Sequence, residues 1–290
     1  MPLDTVSTLR LKDAVLELSS RTHIMGVINV TPDSFSDGGR FIKGGKPNYS
    51  RAIEAALKMA DDGADVIDVG GESTRPGAAI LPIEEELARV TPVIEGIRRH
   101  SSVPISIDTY KPETAKAAVL AGASIINDIS GGGLDPDMLP LAASVGAAVI
   151  LMHIKGTPAD MQKDPHYDEV IHEVRDYLAE RVEKAVSSGV PRDKILVDPG
   201  IGFGKTVRHN LELINRLDEI AALGYPVVLG TSRKAFIGRL TGAAEAKDRL
   251  EGTIASCVVG IVRGANVIRV HDVKAAKRAA TVADAILRAG

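Results

Sequence analysis

Eight short runs rich in β-branched residues recur along the chain, at 23–30, 65–71, 104–109, 124–130, 147–153, 195–200, 226–232 and 267–273. Between them lie longer segments, at 50–62, 83–100, 113–121, 167–188, 210–223 and 275–288, in which apolar residues return every three or four positions. That spacing lines one face of a helix, whereas the short runs read as strands. The pairs Gly63-Ala64, Gly122-Ala123, Gly146-Ala147 and Gly264-Ala265 stand where a helix should end and the next strand begin, because glycine tolerates the left-handed cap conformation. Eight such alternations in about 250 residues predict a (β/α)₈ barrel, an α/β fold. Residues 1–290 then form one domain, with 1–22 left as an N-terminal extension. A doubly wound open sheet would give the same alternation and stays open at this level.

Composition narrows the function. Lys+Arg 35 against Asp+Glu 38 leaves a net charge of −3, so no basic field exists to hold a nucleic-acid backbone or an anionic membrane. Hydrophobic residues at 44% and charged residues at 25% are an ordinary globular balance. With no Trp, 4 Phe and 5 Tyr, the core must be aliphatic. The single cysteine, Cys257, cannot form an internal disulfide and lies in what reads as a buried helix face, which fits a reducing cytoplasm. No early apolar stretch resembles a signal peptide, and no run approaches the roughly 18 residues that span a bilayer. A soluble, intracellular protein is expected, in which the Asn29 and Asn48 sequons carry no glycosylation.

In a parallel barrel the loops after the strands gather on one face, so polar residues at strand ends converge. Here the strands run into Asn29, then Glu72-Ser73-Thr74-Arg75-Pro76, Asp108, Asn127-Asp128, Met152-His153, Asp198, Ser232-Arg233-Lys234 and Arg269-Val270-His271. Each has a plainer reading. Asp108 and Asp198 would serve equally as helix caps, Asn127 and Asp128 as turn formers, and Lys234 as a solvated first-turn residue. Arg269 and His271 are harder to set aside, since alternation puts both on one strand face, which in a barrel points inward. Two familiar fingerprints fail. GIGFGKT at 200–206 lacks the first P-loop glycine, because Pro199 stands there, and no G-x-G-x-x-G spacing occurs. The seven histidines show no zinc spacing, and His100, His166, His172 and His209 read as helix or loop surface.

Arg269, His271 and the Asn29 amide suit a diphosphate with Mg²⁺, a hard ion that shares substrate phosphates. Asp108, Asn127 and Asp198 suit the edge of a flat nitrogen-rich heterocycle, with Met152 and Phe203 covering its faces. The residues therefore reach a barrel enzyme with a phosphate subsite and a heterocycle subsite.

The strings MGVINVTPDSFSDGG at 25–39, DVGGESTRPG at 68–77, IDT at 107–109, INDISGG at 126–132, DPGIGFGK at 198–205, SRK at 232–234 and RVHDV at 269–273 are together highly specific. In their order and spacing, from residue 24 to the C-terminus, the chain resembles the dihydropteroate synthase family. The resemblance implies a homodimeric barrel that joins 6-hydroxymethyl-7,8-dihydropterin diphosphate to 4-aminobenzoate, releasing diphosphate, with sulfonamides as inhibitors that mimic the aminobenzoate. It also implies residue roles. Asp108, Asn127, Asp198 and Lys234 would bind the pterin beside Met152 and Phe203. Asn29, Arg269 and His271 would hold the diphosphate and Mg²⁺, with Asn29 as the metal ligand. Two mobile loops, 31–39 and 72–77, would supply Phe35, Thr74, Arg75 and Pro76, which with Ser232 and Lys234 form the aminobenzoate pocket. The implied mechanism is dissociative: the C–O bond breaks as Mg²⁺ and the cations neutralise the departing diphosphate, with Asp108, Lys234, Arg269 and His271 as the catalytic residues and no strong base required. One departure is the stretch Met152-His153-Ile154-Lys155-Gly156, where the family more often carries a second methionine. A pterin-binding methyltransferase and a catalytically idle pterin-binding paralogue are the rival readings.

Overall fold

The computed structural model describes residues 6–12, 14–31, 42–43, 46–75, 77–78 and 80–289. Strands β1 (Thr8–Arg10) and β2 (Val15–Glu17) form an antiparallel hairpin, with Leu9 opposite Leu16. Strand β3 (His23–Asn29) starts the barrel, and a second small antiparallel pair, β4 (Ile42–Lys43) and β5 (Lys46–Pro47), precedes helix α1 (Tyr49–Asp61). The alternation continues through β6 (Val66–Gly70), α2 (Ile83–His100), β7 (Ile105–Asp108), α3 (Pro112–Ala121), β8 (Ile125–Asp128), α4 (Met138–Val145), β9 (Ala148–Met152) and α5 (Val170–Ser187). It closes with β10 (Ile195–Asp198), α6 (Val207–Asn215), α7 (Leu217–Ala221), β11 (Val227–Leu229), α8 (Ala235–Thr241), α9 (Leu250–Val262), β12 (Ala265–Val270) and α10 (Val273–Leu287).

Strands β3, β6 to β9 and β10 to β12 form a closed parallel barrel, sealed where β12 meets β3 and β9 meets β10. The open-sheet alternative is thereby excluded. All eight predicted barrel strands are present, each a little shorter than the sequence runs implied. They read clearly because a parallel strand is buried on both faces and so appears as a near-continuous apolar run. Ile67, Val69, Ile105, Ile107, Val149, Leu151, Val197 and Ile268 face outward into one aliphatic layer shared with Val90, Ile94, Leu178 and Leu213 of the surrounding helices. Met25, Val66, Ile125, Ile150, Leu196, Val228 and Val267 face inward, where Leu9, Leu11 and Leu18 of the N-terminal segment plug the barrel floor. Gly63, Gly122, Gly146 and Gly264 all have positive φ, between 68° and 122°, as helix-terminating glycines should.

The segment 210–223, read as one helix, is broken into α6 and α7. Helix α5 begins at Val170 rather than at 167. Cys257 is buried on α9, and burial pushes its thiol up to about 11, the state of an inert core residue. Among the described residues no helix is long and apolar enough to cross a membrane.

Candidate active site

Strand register builds one rim of the site directly. Asn29 pairs with Gly70, Gly70 with Asp108, and Asp108 with Asn127, so four consecutive strands bring these residues side by side at the C-terminal mouth. On the opposite arc Asp198 is in register with Met152. The inward position two residues above each apolar floor residue is polar on several strands: Asp68 above Val66, Asn127 above Ile125, Asp198 above Leu196 and Arg269 above Val267.

Arg269 spans the barrel interior. Its Nε donates to Asp68 Oδ2 at 2.6 Å and its Nη2 to Asp108 Oδ2 at 2.6 Å, while Asn127 Nδ2 donates to the same Asp68 oxygen at 3.2 Å. These bonds, not helix capping, are what Asp108 makes: α3 has Lys111 at its N-cap and no side-chain cap. The Oδ1 atoms of Asp68 and Asp108 are buried without a partner among the described residues. Burial pushes the Asp108 carboxyl up, against the pull of Arg269 and with the help of the Asp68 charge. Arg269 itself is held charged, because the fields of Asp68 and Asp108 outweigh its desolvation.

Asp198 uses one oxygen to accept the Gly200 N–H at 2.7 Å, and burial raises its pKa despite the nearby Lys234 charge. The following loop folds tightly back on strand β9. Gly200 has φ 67°, and a Cβ there would fall 1.9 Å from the His153 carbonyl oxygen, so only glycine fits. The loop presents Phe203 to a small cluster containing Met152, Ile129, Ile154 and Met161. Ile154 thus packs at the departure noted above, and a second methionine, Met161, joins it from the loop after β9. Lys234 stands at the N-cap of α8, its ammonium donating to the Ile201 carbonyl and lying 4.7 Å from the Phe203 ring centroid. Desolvation brings its pKa down to about 8 even with Asp198 nearby. It is therefore no solvated surface lysine.

Ser232 Oγ lies 2.9 Å from His271 Nδ1 and accepts the His271 backbone N–H at 3.2 Å. Desolvation, then the charges of Arg233, Arg269, Arg75 and Lys234, lower the His271 pKa to about 3, so its ring is neutral. Arg233 sits between Ser232 and Lys234 at φ 57°, an uncommon conformation for a non-glycine residue. It is held there by Asp272, at 2.9 and 2.7 Å, and by Thr253 Oγ1 accepting its backbone N–H at 2.9 Å. Thr74 and Arg75 are half-buried in the loop after β6. Phe35 and Pro76 lie outside the described residues, as does nearly all of the 31–39 loop.

The structure also brings in residues that the sequence reading did not place. Asp68, fully buried, is the hub of the Arg269 network. Its signal was a carboxylate inside the apolar run Val66-Ile67-Asp68-Val69, a placement that is costly unless paired. Lys205 is buried, with Nζ 2.9 Å from His153 Nδ1 and donating to the Phe203 carbonyl at 2.9 Å, so it braces the Phe203 loop. His153 in turn meets Tyr177 edge-on at 4.9 Å.

A cationic subsite beside a carboxylate-and-amide rim, on the C-terminal face of a closed barrel, defines a β/α-barrel enzyme for an anionic substrate with a hydrogen-bonding edge. Residues 25–271 match the pterin binding enzyme family. The dihydropteroate synthase of Synechocystis is 44% identical over 274 residues, covering 94% of this chain and 93% of its own. Among solved structures, the Yersinia pestis dihydropteroate synthase with a sulfonamide drug complex superposes with TM-score 0.91 at 39% identity, covering 97% of this chain and 99% of that one. The Xanthomonas albilineans dihydropteroate synthase with 4-aminobenzoic acid gives 0.89 at 43% identity, covering 98% and 99%. The chain belongs to the pterin-binding enzymes and, within them, to the dihydropteroate synthases, transferases that condense 6-hydroxymethyl-7,8-dihydropterin diphosphate with 4-aminobenzoate to 7,8-dihydropteroate and diphosphate.

Proposed function

We propose that the polar layer and its flanking loops divide this condensation between a pterin half and a diphosphate half, with the aminobenzoate in an adjoining half-pocket formed by the loops. The observation that carries the division is Arg269, a guanidinium tied to Asp68 and Asp108 on the same rim as Asn29 and Asn127. Asp198 accepts from the amidine-like edge of the pterin, with Asn127 and Asp108 completing its hydrogen bonds and Met152 and Phe203 covering its faces. Burial raises the pKa of both Asp108 and Asp198, and carboxylates so short of solvent gain most when such a donor edge arrives. Arg269, Lys234 and neutral His271, whose Nδ1 faces Ser232, meet the diphosphate.

As the C–O bond to the exocyclic methylene breaks, its electron pair leaves with the diphosphate, which these donors stabilise. The electron-rich pterin spreads the positive charge left behind. The neutral amine of 4-aminobenzoate, held by Thr74, Arg75, Pro76, Phe35, Ser232 and Lys234, then forms the new C–N bond and sheds a proton. No strong base is required, since orientation and exclusion of water supply the rest.

The residues present fit a hard divalent cation. Asn29 Oδ1 stands at the mouth across Gly70 from Asp108, a hard neutral oxygen of the kind Mg²⁺ takes beside substrate phosphate. Asn29 would hold Mg²⁺, which when bound neutralises charge on the diphosphate. Sulfonamides would occupy the aminobenzoate half-pocket. A cytoplasmic homodimer, each protomer a single functional unit of residues 1–290, completes the proposal. Exposed apolar pairs on α9 (Val259, Val262) and α10 (Val282, Ile286) support the pairing.

Incubation of the protein with the pterin diphosphate, 4-aminobenzoate and Mg²⁺ tests the reading, with dihydropteroate measured by chromatography alongside diphosphate release. Equal amounts of both products are expected. Pterin binding without product, in folded and metal-supplied protein, would favour the idle paralogue or methyltransferase instead.

A further inference from the structure

We propose that Lys111 is a positioning residue for the condensation: its ammonium clasps both ends of the loop after β6 and so fixes the base from which Thr74 and Arg75 reach the site. This inference rests on the reading that the loop helps form the aminobenzoate half-pocket.

Lys111 follows the rim carboxylate Asp108 by three residues and stands at the N-cap of α3. Its Nζ donates to Glu72 Oε2, to the Leu81 carbonyl at 2.6 Å and to Glu86 Oε2 at 2.8 Å. Glu72 opens the loop and Leu81 closes it, so a single cation ties the two ends together. Glu86 anchors that cation to the first turn of α2 and also accepts from Thr114 Oγ1 at 3.3 Å. The Tyr110 hydroxyl takes the other Glu72 oxygen at 2.7 Å, and Arg89 Nη1 donates to the Gly71 carbonyl at 2.8 Å just before the loop begins. Farther along, the Gly77 N–H meets the Pro158 carbonyl at 3.0 Å.

The clasp is buried: the side chains of Lys111, Glu72 and Glu86 are 10%, 8% and 1% exposed. Desolvation works against the Lys111 charge, but the hydrogen bonds to Glu72 and Glu86 outweigh it and raise its pKa. Two carboxylates against one ammonium leave Glu86 Oε1 without a partner among the described residues. A charge cluster of this kind adds little to stability compared with apolar packing, and its best-supported use is to fix one geometry among several. Loops without such ties open locally at little free-energy cost. Because Lys111 and Asp108 share one short segment, the clasp also keeps the loop in step with the polar rim.

The test compares wild type with Lys111→Met, with Lys111→Met/Glu86→Gln, which removes a buried charge of each sign and protects folding, and with Lys111→Arg. Amide hydrogen exchange at Gly77 and Ala78, whose N–H groups donate to the Pro158 and Arg75 carbonyls at 3.0 Å, is read beside kcat and both KM values. In the Met variants exchange should quicken at least about tenfold at those two amides, with the barrel strands unchanged. KM for 4-aminobenzoate should rise about tenfold while KM for the pterin diphosphate stays within about twofold, and Lys111→Arg should recover part of both effects. Unchanged exchange overturns the clasp whatever the kinetics. Both KM values moving together with thermal stability overturns it too, as a merely structural effect. Quickened exchange with an unchanged aminobenzoate KM keeps the clasp but overturns its catalytic meaning, and with it the placing of this loop in the aminobenzoate half-pocket.

Discussion

Two layers of the barrel interior, separated by two residues along the same strands, are built on opposite principles. At the floor, Val66, Ile125, Leu196 and Val267 meet Leu9, Leu11 and Leu18 in one apolar cluster. One layer up, the same strands present Asp68, Asn127, Asp198 and Arg269, and the Oδ1 atoms of Asp68 and of the neighbouring Asp108 are unpartnered among the described residues. Each fully buried floor side chain contributes roughly 1.5–3 kcal/mol to folding, whereas burying carboxylates costs several kcal/mol that pairing returns only in part. The floor, with the larger aliphatic layer outside the strands, stabilises the barrel, and the upper layer draws on that stability to hold charge where a substrate can use it.

Changing Arg269 should break this contrast most sharply. Arg269→Met leaves Asp68 and Asp108 facing each other unpaired, and about 3–5 kcal/mol of stability should be lost in denaturant unfolding. Asp68→Leu/Asp108→Leu/Arg269→Met should restore most of it while abolishing condensation, since it extends the floor upward. If the triple variant is no more stable than Arg269→Met, the polar layer is not a net cost. Leu9→Ala is the matching change below. It should cost roughly 3 kcal/mol through the cavity it leaves, with kcat and both KM values unaltered. Altered kinetics there would show that the layers are coupled. Asp198→Asn changes function alone. Pterin affinity by calorimetry should fall about 100-fold, near 2.7 kcal/mol, because an amide cannot accept from both donors of an amidine-like edge. Equal affinity in the two proteins would remove Asp198 from the pterin half.

The same contrast explains what the sequence could reveal. Barrel strands buried on both faces stand out, and the polar residues at their ends stand out against them, which is why Asp108, Asn127, Asp198 and Arg269 were legible. The floor was not. The hairpin strands Thr8–Arg10 and Val15–Glu17 are three residues each, too short for alternation to register, so residues 1–22 read as an extension although Leu9 closes the barrel. Helices α4 and α8 were missed for a related reason. Met138–Val145 is apolar nearly all round and Ala235–Thr241 spans only two turns, so neither shows a one-sided pattern. Lys111 carries no signal of its own in the sequence and Lys205 stands out only in the failed P-loop match and the family motif, and it is the tertiary neighbours Glu72, Glu86 and His153 that give them a purpose.

The smallest expected effect is a proton. Desolvation beside Asp198 sets the Lys234 pKa at about 8, below the ordinary lysine value of 10.5. Between those values the folded protein binds fewer protons here than the unfolded chain, so stability from this group is present above pH 10.5 and lost as pH falls through that window toward 8. Function runs the other way. If the Lys234 cation meets the diphosphate, kcat/KM for the pterin diphosphate should decline above pH 8, by about tenfold per pH unit once the cation is the minority form. His271, neutral from pH 5 upward with its pKa at about 3, adds no limb in that range. Lys234→Arg keeps its charge throughout and should flatten the alkaline limb even if its absolute activity is lower. A pH profile from 7 to 10 on both proteins decides the matter. An alkaline limb that survives in Lys234→Arg would move the titrating group elsewhere, and Lys234 would then serve the site by shape rather than by charge.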